Sequence, residues 1–336
     1  MLNKIYVKVK NYIIKNHNSI LFLILMVIVL NIKTPYVIEA PGGIISLSDR
    51  VTVNNKNLSS NYYTTYVKVI DGKVAGVIAS YLFPNWDLIK YKKYSGNTNL
   101  SYDELNKVEK LLMNESNNKA IKTAFDKAKV EYEITDNKII VFYKYDEYKN
   151  KLKIGDIINK CDNNSISSVD ELHSCINNAT DKVTLKVERN KKEIEMDVKV
   201  HKQNNGNKII GVSVINDYKI KSEYDIKITA DDSESGSSGG FMTTLSIYSE
   251  IKNLKFKNNL KIAGTGTIED DEKIGEIEGI KYKLLGSEKS KVDIFFVPED
   301  NYKEALKIKR KHKLKMKIIK VSTLDDAINY LEEIKA

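Results

Sequence analysis

The chain has 336 residues, of which 42% are hydrophobic and 29% charged; this is material for two or three modules with real cores and excludes a disordered tail. With two cysteines and four prolines it is not a small scaffold held by a disulfide framework. The formal charge of +9 accompanies an abundance of Lys, Asn, Ile and Tyr along the whole chain, so it weighs little as a sign of a nucleic-acid partner.

Residues 1–40 read as a membrane anchor. Lys4, Lys8, Lys10 and Lys15 precede an uninterrupted apolar run from Ile20 to Leu30, and no acidic residue occurs before Glu39. That run is shorter than the roughly 20 residues a bilayer core asks for. Tyr12-Ile13-Ile14 upstream, and Ile32 with Tyr36-Val37-Ile38 downstream, extend the apolar length, and Lys15 can snorkel. A cleaved signal peptide is the rival; it wants a small-x-small site, and Ile38-Glu39-Ala40 is a poor one. The lysines predict a cytoplasmic N-terminus, a single pass through the cell membrane and an extracytoplasmic remainder.

Residues 41–129 read as a β-rich unit followed by a helix. Val51-Thr52-Val53 and Tyr63 to Ile70 have strand character, and Asp71-Gly72 signals a hairpin to a return strand over Val74 to Ile78. The only tryptophan, Trp86, is read as a packing residue. Ser101 to Val130 carries a helical pattern, with Leu105, Val108, Leu111 and Leu112 ahead of Ile121, Ala124, Phe125 and Ala128.

Residues 130–202 contain Leu152, Gly155, Asp156 and Ile158 as a Leu-x-x-Gly-Asp-x-Ile core. A turn at Asp162-Asn163-Asn164 follows, then a helix from Ser168 whose Glu171 has capping-box spacing, then strands Val183 to Val187 and Ile194 to Val200. This order resembles a PDZ domain, which binds an extended peptide by adding it beside an edge strand. No Gly-Leu-Gly-Phe-like carboxylate loop precedes the core, where the sequence is Ile134 to Val141. Cys161 and Cys175 could bridge, but are read as two buried thiols.

Residues 203–336 hold the chemistry. Ser235-Gly236-Ser237-Ser238-Gly239-Gly240 feeds the apolar run Phe241 to Tyr248, which has the spacing of a buried helix. A serine at such a junction has free backbone N–H groups and a positive dipole end beside it. Downstream come Ile262-Ala263-Gly264-Thr265-Gly266-Thr267-Ile268, then Ile274 to Leu285 with Lys281-Tyr282-Lys283, then Val292 to Pro298 and Asn301. A final helix is expected over Ser322 to Ile334, with Ser322 and Asp325 in capping-box spacing. The acidic group Asp231, Asp232 and Glu234 is read as a solvated turn. The lysine-rich stretch from Lys303 to Lys320 is read as a solvated helix face.

From Ile226 to about Ala305 the order and separation of these motifs resemble the proteolytic domain of Lon-type serine proteases. The resemblance puts the nucleophile on Ser238, its base on Lys283 and a lysine-orienting threonine on Thr265, with Gly236, Ser237 and Gly239 as supporting loop residues. With Tyr36-Val37-Ile38-Glu39-Ala40-Pro41-Gly42-Gly43, the whole chain resembles the membrane-anchored, PDZ-containing Lon-like proteases of Gram-positive bacteria, which lack an ATPase module. The family's Pro-Ser-Ala-Gly reads Ser237-Ser238-Gly239-Gly240 here, and its Ile-Gly-Gly-Ile reads Ile277-Glu278-Gly279-Ile280. The first change is expected to loosen the loop and the second to put a carboxylate near Lys283.

The expectation is a mixed α+β multidomain protein acting as an ATP-independent serine endopeptidase on short or extended peptides. The alternative is a peptide-binding scaffold with an impaired Lon-like domain. No cofactor or metal is expected: His17, His173, His201 and His312 are scattered. Gly264-Thr265-Gly266-Thr267 lacks the Gly-Lys-Ser/Thr of a P-loop, so no nucleotide is expected. Nor is nucleic acid, and oligomeric assembly is left open. Lys283 can serve as a base near neutrality only if desolvation lowers its pKa, for which Ile280, Leu284 and Leu285 are the expected apolar neighbours.

Overall fold

The computed structural model of the chain describes residues 2–59, 61–96, 98–254 and 260–335. Two N-terminal helices, α1 (Leu2–Lys15) and α2 (His17–Leu30), meet with a bend of 76° where polar Asn16-His17-Asn18 interrupts the apolar pattern. No single helix among the described residues is long and apolar enough to cross a membrane. At 1.5 Å per residue α2 spans about 21 Å, against a hydrocarbon core of about 30 Å. The anchor expected from the sequence is therefore not one continuous helix.

β1 (Lys33–Ser46) leads through a 3-10 turn at Leu47–Asp49 to β2 (Val51–Val53) and β3 (Lys56–Asn57). Then follow β4 (Tyr62–Lys73), α3 (Val74–Leu82), β5 (Asp87–Lys90) and α4 (Tyr91–Tyr94). The hairpin expected at Asp71-Gly72 is not formed: β4 runs through both residues, and the supposed return strand is the start of α3. Gly72 lies so near the partner strand that a Cβ would fall 1.7 Å from the carbonyl oxygen of Tyr36. This glycine serves close strand approach, not a turn. α5 (Tyr102–Ala128) opens on a full capping box, Glu104 N donating to Ser101 Oγ at 3.3 Å and Ser101 N to the Glu104 carboxylate at 2.9 Å.

The next module comprises β6 (Tyr132–Lys144), β7 (Ile157–Cys161), β8 (Asn164–Ser165), α6 (Val169–Asn178), β9 (Lys182–Arg189), β10 (Lys192–Lys199), the small pair β11 (His201–Lys202) and β12 (Lys208–Ile209), and β13 (Val212–Ser222). Its antiparallel sheet has the order β10-β9-β7-β6-β13, so β13, beyond residue 202, is an edge strand. Ile139, Leu152, Ile158, Leu172, Leu185 and Val198 fill the core between this sheet and α6. Cys161 and Cys175 form a disulfide between β7 and α6, which corrects the reading of two thiols. Tertiary packing brought the end of a strand against a helix fourteen residues on. Ser168 Oγ accepts from Glu171 N at 3.2 Å as expected, but the Glu171 carboxylate turns to Ser167 N at 2.6 Å.

The last part comprises β14 (Ile226–Ile228), α7 (Gly240–Ile251), β15 (Ile262–Gly264), β16 (Thr267–Ile268), β17 (Ile274–Gly275), α8 (Ile280–Lys289), β18 (Ile294–Pro298), α9 (Glu299–His312), β19 (Lys317–Val321) and α10 (Leu324–Lys335). β19, β18, β15 and the first residues of β4 lie in parallel, in that order. α7 is buried at every residue from Gly240 to Ile247, as its all-apolar or small composition requires, and packs with α5 through Ala120, Ala124, Phe241 and Leu245. On the other side of the sheet, Ile280, Leu284, Phe295, Val297 and Ala305 form a second core. α10 is capped one residue later than its sequence suggested: Asp326 N donates to Thr323 Oγ1 at 3.4 Å, and the Asp326 carboxylate accepts from Ser322 N at 2.7 Å.

The chain groups into two compact units, Met1–Gly42 with Val67–Asn99 and Gly43–Tyr66 with Leu100–Ala336. Both chemistry-bearing modules thus belong to the second.

Within the PDZ-like module, Asp156 is 1% exposed and is held by Arg189 through two 2.7 Å hydrogen bonds, from Nε and Nη2, while Lys153 N donates to the same carboxylate at 2.8 Å. Arg189→Ala leaves that carboxylate buried without its cation, a loss of about 3–5 kcal/mol. Native-state hydrogen exchange of β7 and β9 amides will accelerate accordingly, whereas Lys192→Ala, an exposed lysine of the same sheet, leaves them unchanged.

Candidate active site

The lysine side of the site is built from a buried clamp. Asn301, 2% exposed near the start of α9, donates Nδ2–H to Ile277 O and accepts from Ile277 N, both at 2.9 Å. This fixes the loop ahead of α8, whose N-cap Gly279 takes φ 72°, a left-handed conformation that disfavours a Cβ. Lys283 then falls one turn into α8 and is only 4% exposed. Burial lowers its pKa to about 7, because the interior penalises the ammonium form, and no charged neighbour contributes. The carboxylate expected beside it is elsewhere: Glu278 is exposed, and its electrostatic neighbour is Glu109 on α5, whose pKa is raised by burial and then by Glu278.

Thr265 joins the two halves. It follows β15, is fully buried, and donates its N–H to Phe296 O of β18 at 3.2 Å. Lys283 Nζ donates to Thr265 Oγ1 at 2.9 Å, and that hydroxyl donates to Ser238 O at 3.2 Å. Gly266 N donates to the same carbonyl at 2.9 Å. Ser238 and Lys283 are thereby brought to one threonine. No hydrogen bond joins Ser238 Oγ directly to Lys283 Nζ among the described residues.

The serine loop is tied down by its carbonyls. Gly236, at φ 97°, donates its N–H to Glu109 O at 3.1 Å. Ser116 Oγ donates to Ser237 O at 3.0 Å, and Gly240 N donates to it at 3.2 Å. The N–H groups of Ser238 and Gly239, just ahead of α7, donate to nothing among the described residues. A half-buried serine therefore sits with two free amides at the positive end of a twelve-residue helix. The loosening expected from Gly239 is offset by these bonds, and a Cβ there would press to 3.1 Å of Thr64 Oγ1.

Sequence reasoning missed Glu109, Ser116 and Arg50. The first two lie on α5, which the linear pattern assigned to a separate unit. Arg50 pairs with Asp231 at 2.6 Å and with Glu234, so the acidic turn before the serine loop, exposed at Asp231 and Asp232 as expected, is also tied by ion pairs. Opposite charges about 180 residues apart give no local signal, and only the antiparallel β14–β2 pairing makes them neighbours. For a metal, Cys161, Asp162 and Cys175 are the one compact group of ligand types among the described residues, and the disulfide consumes both sulfurs.

Residues 212–333 match the family model described as the Lon protease (S16) C-terminal proteolytic domain, and residues 146–200 match that of the PDZ domain. The chain is 32% identical over 98 residues to a Lon protease of Neorickettsia sennetsu, which covers 29% of this chain and 12% of that protein. It thus spans a small fraction of the length of that curated relative. A crystal structure of the PDZ domain of an SdrC-like protein from Listeria monocytogenes aligns with 23% identity over 23% of this chain and 86% of that one, at a TM-score of 0.22. The two family-model matches show that a Lon-type proteolytic domain and a PDZ domain are both present.

A buried amine with a pKa of about 7 works as a base only when neutral. Peptide-hydrolysis kcat/KM will rise with pH through about 7 and level off above it, as the proton leaves Lys283. Thr265→Val keeps the volume but strips Lys283 of its acceptor and Ser238 of a donor. It will lower kcat about tenfold to a hundredfold, with Thr265→Ser recovering most of the loss.

Proposed function

We propose that the chain is a membrane-anchored, ATP-independent serine endopeptidase that cleaves peptides or extended protein segments with a Ser238–Lys283 dyad. The observation that carries this reading is the buried Lys283, poised near neutrality and linked through one threonine to the backbone of a serine at a helix N-terminus. Neutral Lys283 would take the Ser238 hydroxyl proton as Oγ attacks the peptide carbonyl, and would return it to the leaving amine. The free N–H groups of Ser238 and Gly239 would receive the oxyanion. Water, activated by the same amine, would then release the acyl group. Catalytic hydrogen bonds of this kind tighten when substrate binds, which is when the Ser238–Lys283 contact would form.

Substrate capture falls to the PDZ domain. Its sheet ends in β13, which among the described residues has β6 as its only strand partner, with α5 and α6 packed beside it. An extended peptide added there gains main-chain hydrogen bonds beside a strand that runs on through β14 toward the serine loop. The substrate of this reading is a peptide that is short or already extended, the form that strand addition requires.

The apolar α2, preceded by lysines and exposed along its length, supports anchoring with the N-terminus in the cytoplasm. The Cys161–Cys175 disulfide supports an oxidising, extracytoplasmic location for the rest.

Ser238→Ala will abolish hydrolysis of an extended reporter peptide. Lys283→Arg, which keeps a cation that cannot give up its proton near neutrality, will be as inactive as Lys283→Ala, and the double variant no worse than either. Ser235→Ala will retain activity. An active Lys283→Arg would remove the lysine as base, an active Ser238→Ala would sink the assignment of the nucleophile, and a wild-type chain without hydrolytic activity would leave the peptide-binding scaffold as the reading. Protease added to intact cells will remove the chain beyond about residue 40 and spare the N-terminus; protection of the catalytic region would overturn the orientation.

A further inference from the structure

α3 is amphipathic in the reverse sense for a helix on a water-soluble surface. Its small and polar residues face the protein: a Cβ on Gly76 would lie 3.0 Å from Ile38 Cδ1, and Ser80 is 9% exposed with its hydroxyl turned back to Val77 O. Its large apolar residues point outward at i, i+3 and i+4 spacing, Ile78 being 50% exposed, Tyr81 81% and Leu82 73%, and Phe83 continues the patch at 53%. A contiguous outward apolar face of this kind marks a surface that meets something other than water.

Three neighbouring features of the same unit say what. α3 starts against the end of α2, with Val74 N donating to Ile32 O at 3.0 Å and Lys73 Nζ reaching Asn31 Oδ1 at 3.4 Å. The two helices therefore adjoin at their ends, and α2 by itself falls short of a bilayer core, so neighbouring apolar residues are drawn toward the interface. Phe83 and Trp86, with ring centroids 4.8 Å apart, are followed by the close pair Tyr91 and Tyr94, the residue types that settle at headgroup level. Exposed Lys90, Lys92 and Lys93 adjoin them, and from Lys73 to Tyr94 the sequence has four lysines against one aspartate. That charge complements anionic headgroups.

We propose that the outward face of α3, with the Phe83–Trp86 turn and Lys90, Lys92 and Lys93, is a second membrane contact, lying in the interfacial layer of an anionic bilayer beside the point where α2 leaves it. This rests on the anchoring proposed above. α2 would supply attachment, while α3 would fix the height and tilt of its unit on the membrane, which one point of attachment does not do.

The protein has one tryptophan, Trp86, placed in this contact as a native probe. The full-length chain is reconstituted into vesicles of phosphatidylcholine with phosphatidylglycerol, with bromine on either shallow or deep acyl carbons. The vesicles are then floated and their emission read. The expected result is that the protein floats, shallow bromine lowers Trp86 emission by about half and deep bromine does so much less, as for a side chain at the headgroup boundary. Leu82→Glu with Phe83→Glu, both at exposed positions, abolishes the quenching without abolishing flotation. Flotation with no quenching by either lipid overturns the second contact and leaves the anchor standing; if Trp86 is then also shielded from acrylamide, a protein surface covers α3 instead. Stronger quenching from deep bromine overturns the interfacial placement. A chain that does not float overturns the anchor and this contact together.

Discussion

The burial of one amine is the constraint on which the rest of the proteolytic domain depends. Lys283 is nearly inaccessible, and an interior that cannot solvate an ammonium holds it close to neutrality at physiological pH. A buried neutral amine still needs a hydrogen-bond partner, and Thr265 Oγ1 supplies it. Thr265 can do so because it ends a central strand of a parallel sheet, and α8 can present the lysine because Asn301 and Gly279 fix its first turn.

The serine's side of the site is organised by backbone accounting. Besides the N–H of Gly240, three donors, from Thr265, Gly266 and Ser116, occupy the carbonyls of Ser237 and Ser238, so the loop presents its N–H groups rather than its C=O groups outward. Two of these supports belong to the sheet that carries the lysine's partner, and the third comes from α5, before the PDZ domain in sequence. The proteolytic core therefore extends beyond the segment that resembles Lon: Leu47, Val51, Tyr62 and Ala124 share one cluster with Phe241 and Phe296. The PDZ module is an insertion into that core, entered from α5 and left through β13, and this edge strand leads back toward the serine loop.

Much of this was legible in the linear chain wherever the signal is local or periodic. The capping box at Ser101 and Glu104, the helical spacing of Phe241, Leu245 and Tyr248 in α7, and the Leu-x-x-Gly-Asp-x-Ile pattern each depend on residues within a few positions of one another. Ser238, Lys283 and Thr265 were named from motif order, which carries residue identity but not distance. Where local signals were ambiguous the reading failed. Asp71-Gly72 has the composition of a turn, yet Gly72 answers to the backbone of Tyr36 in the neighbouring strand. Val74 to Ile78 is apolar enough for a strand or a helix, and periodicity over five residues cannot separate them.

The sequence by itself determined the modules, the helix that carries the serine and the types of residue available for its chemistry, because these follow from propensity, capping and hydrophobic period. Only the tertiary structure decided that Cys161 meets Cys175, that Arg50 straps Asp231 and Glu234, that α5 holds the serine loop, and that α3 turns its apolar side chains outward. It alone also decided how far Lys283 is withdrawn from water. These depend on which surfaces come together across long stretches of chain, and burial, which sets both a pKa and a partner's reach, is a property of the packed neighbours and not of the residue.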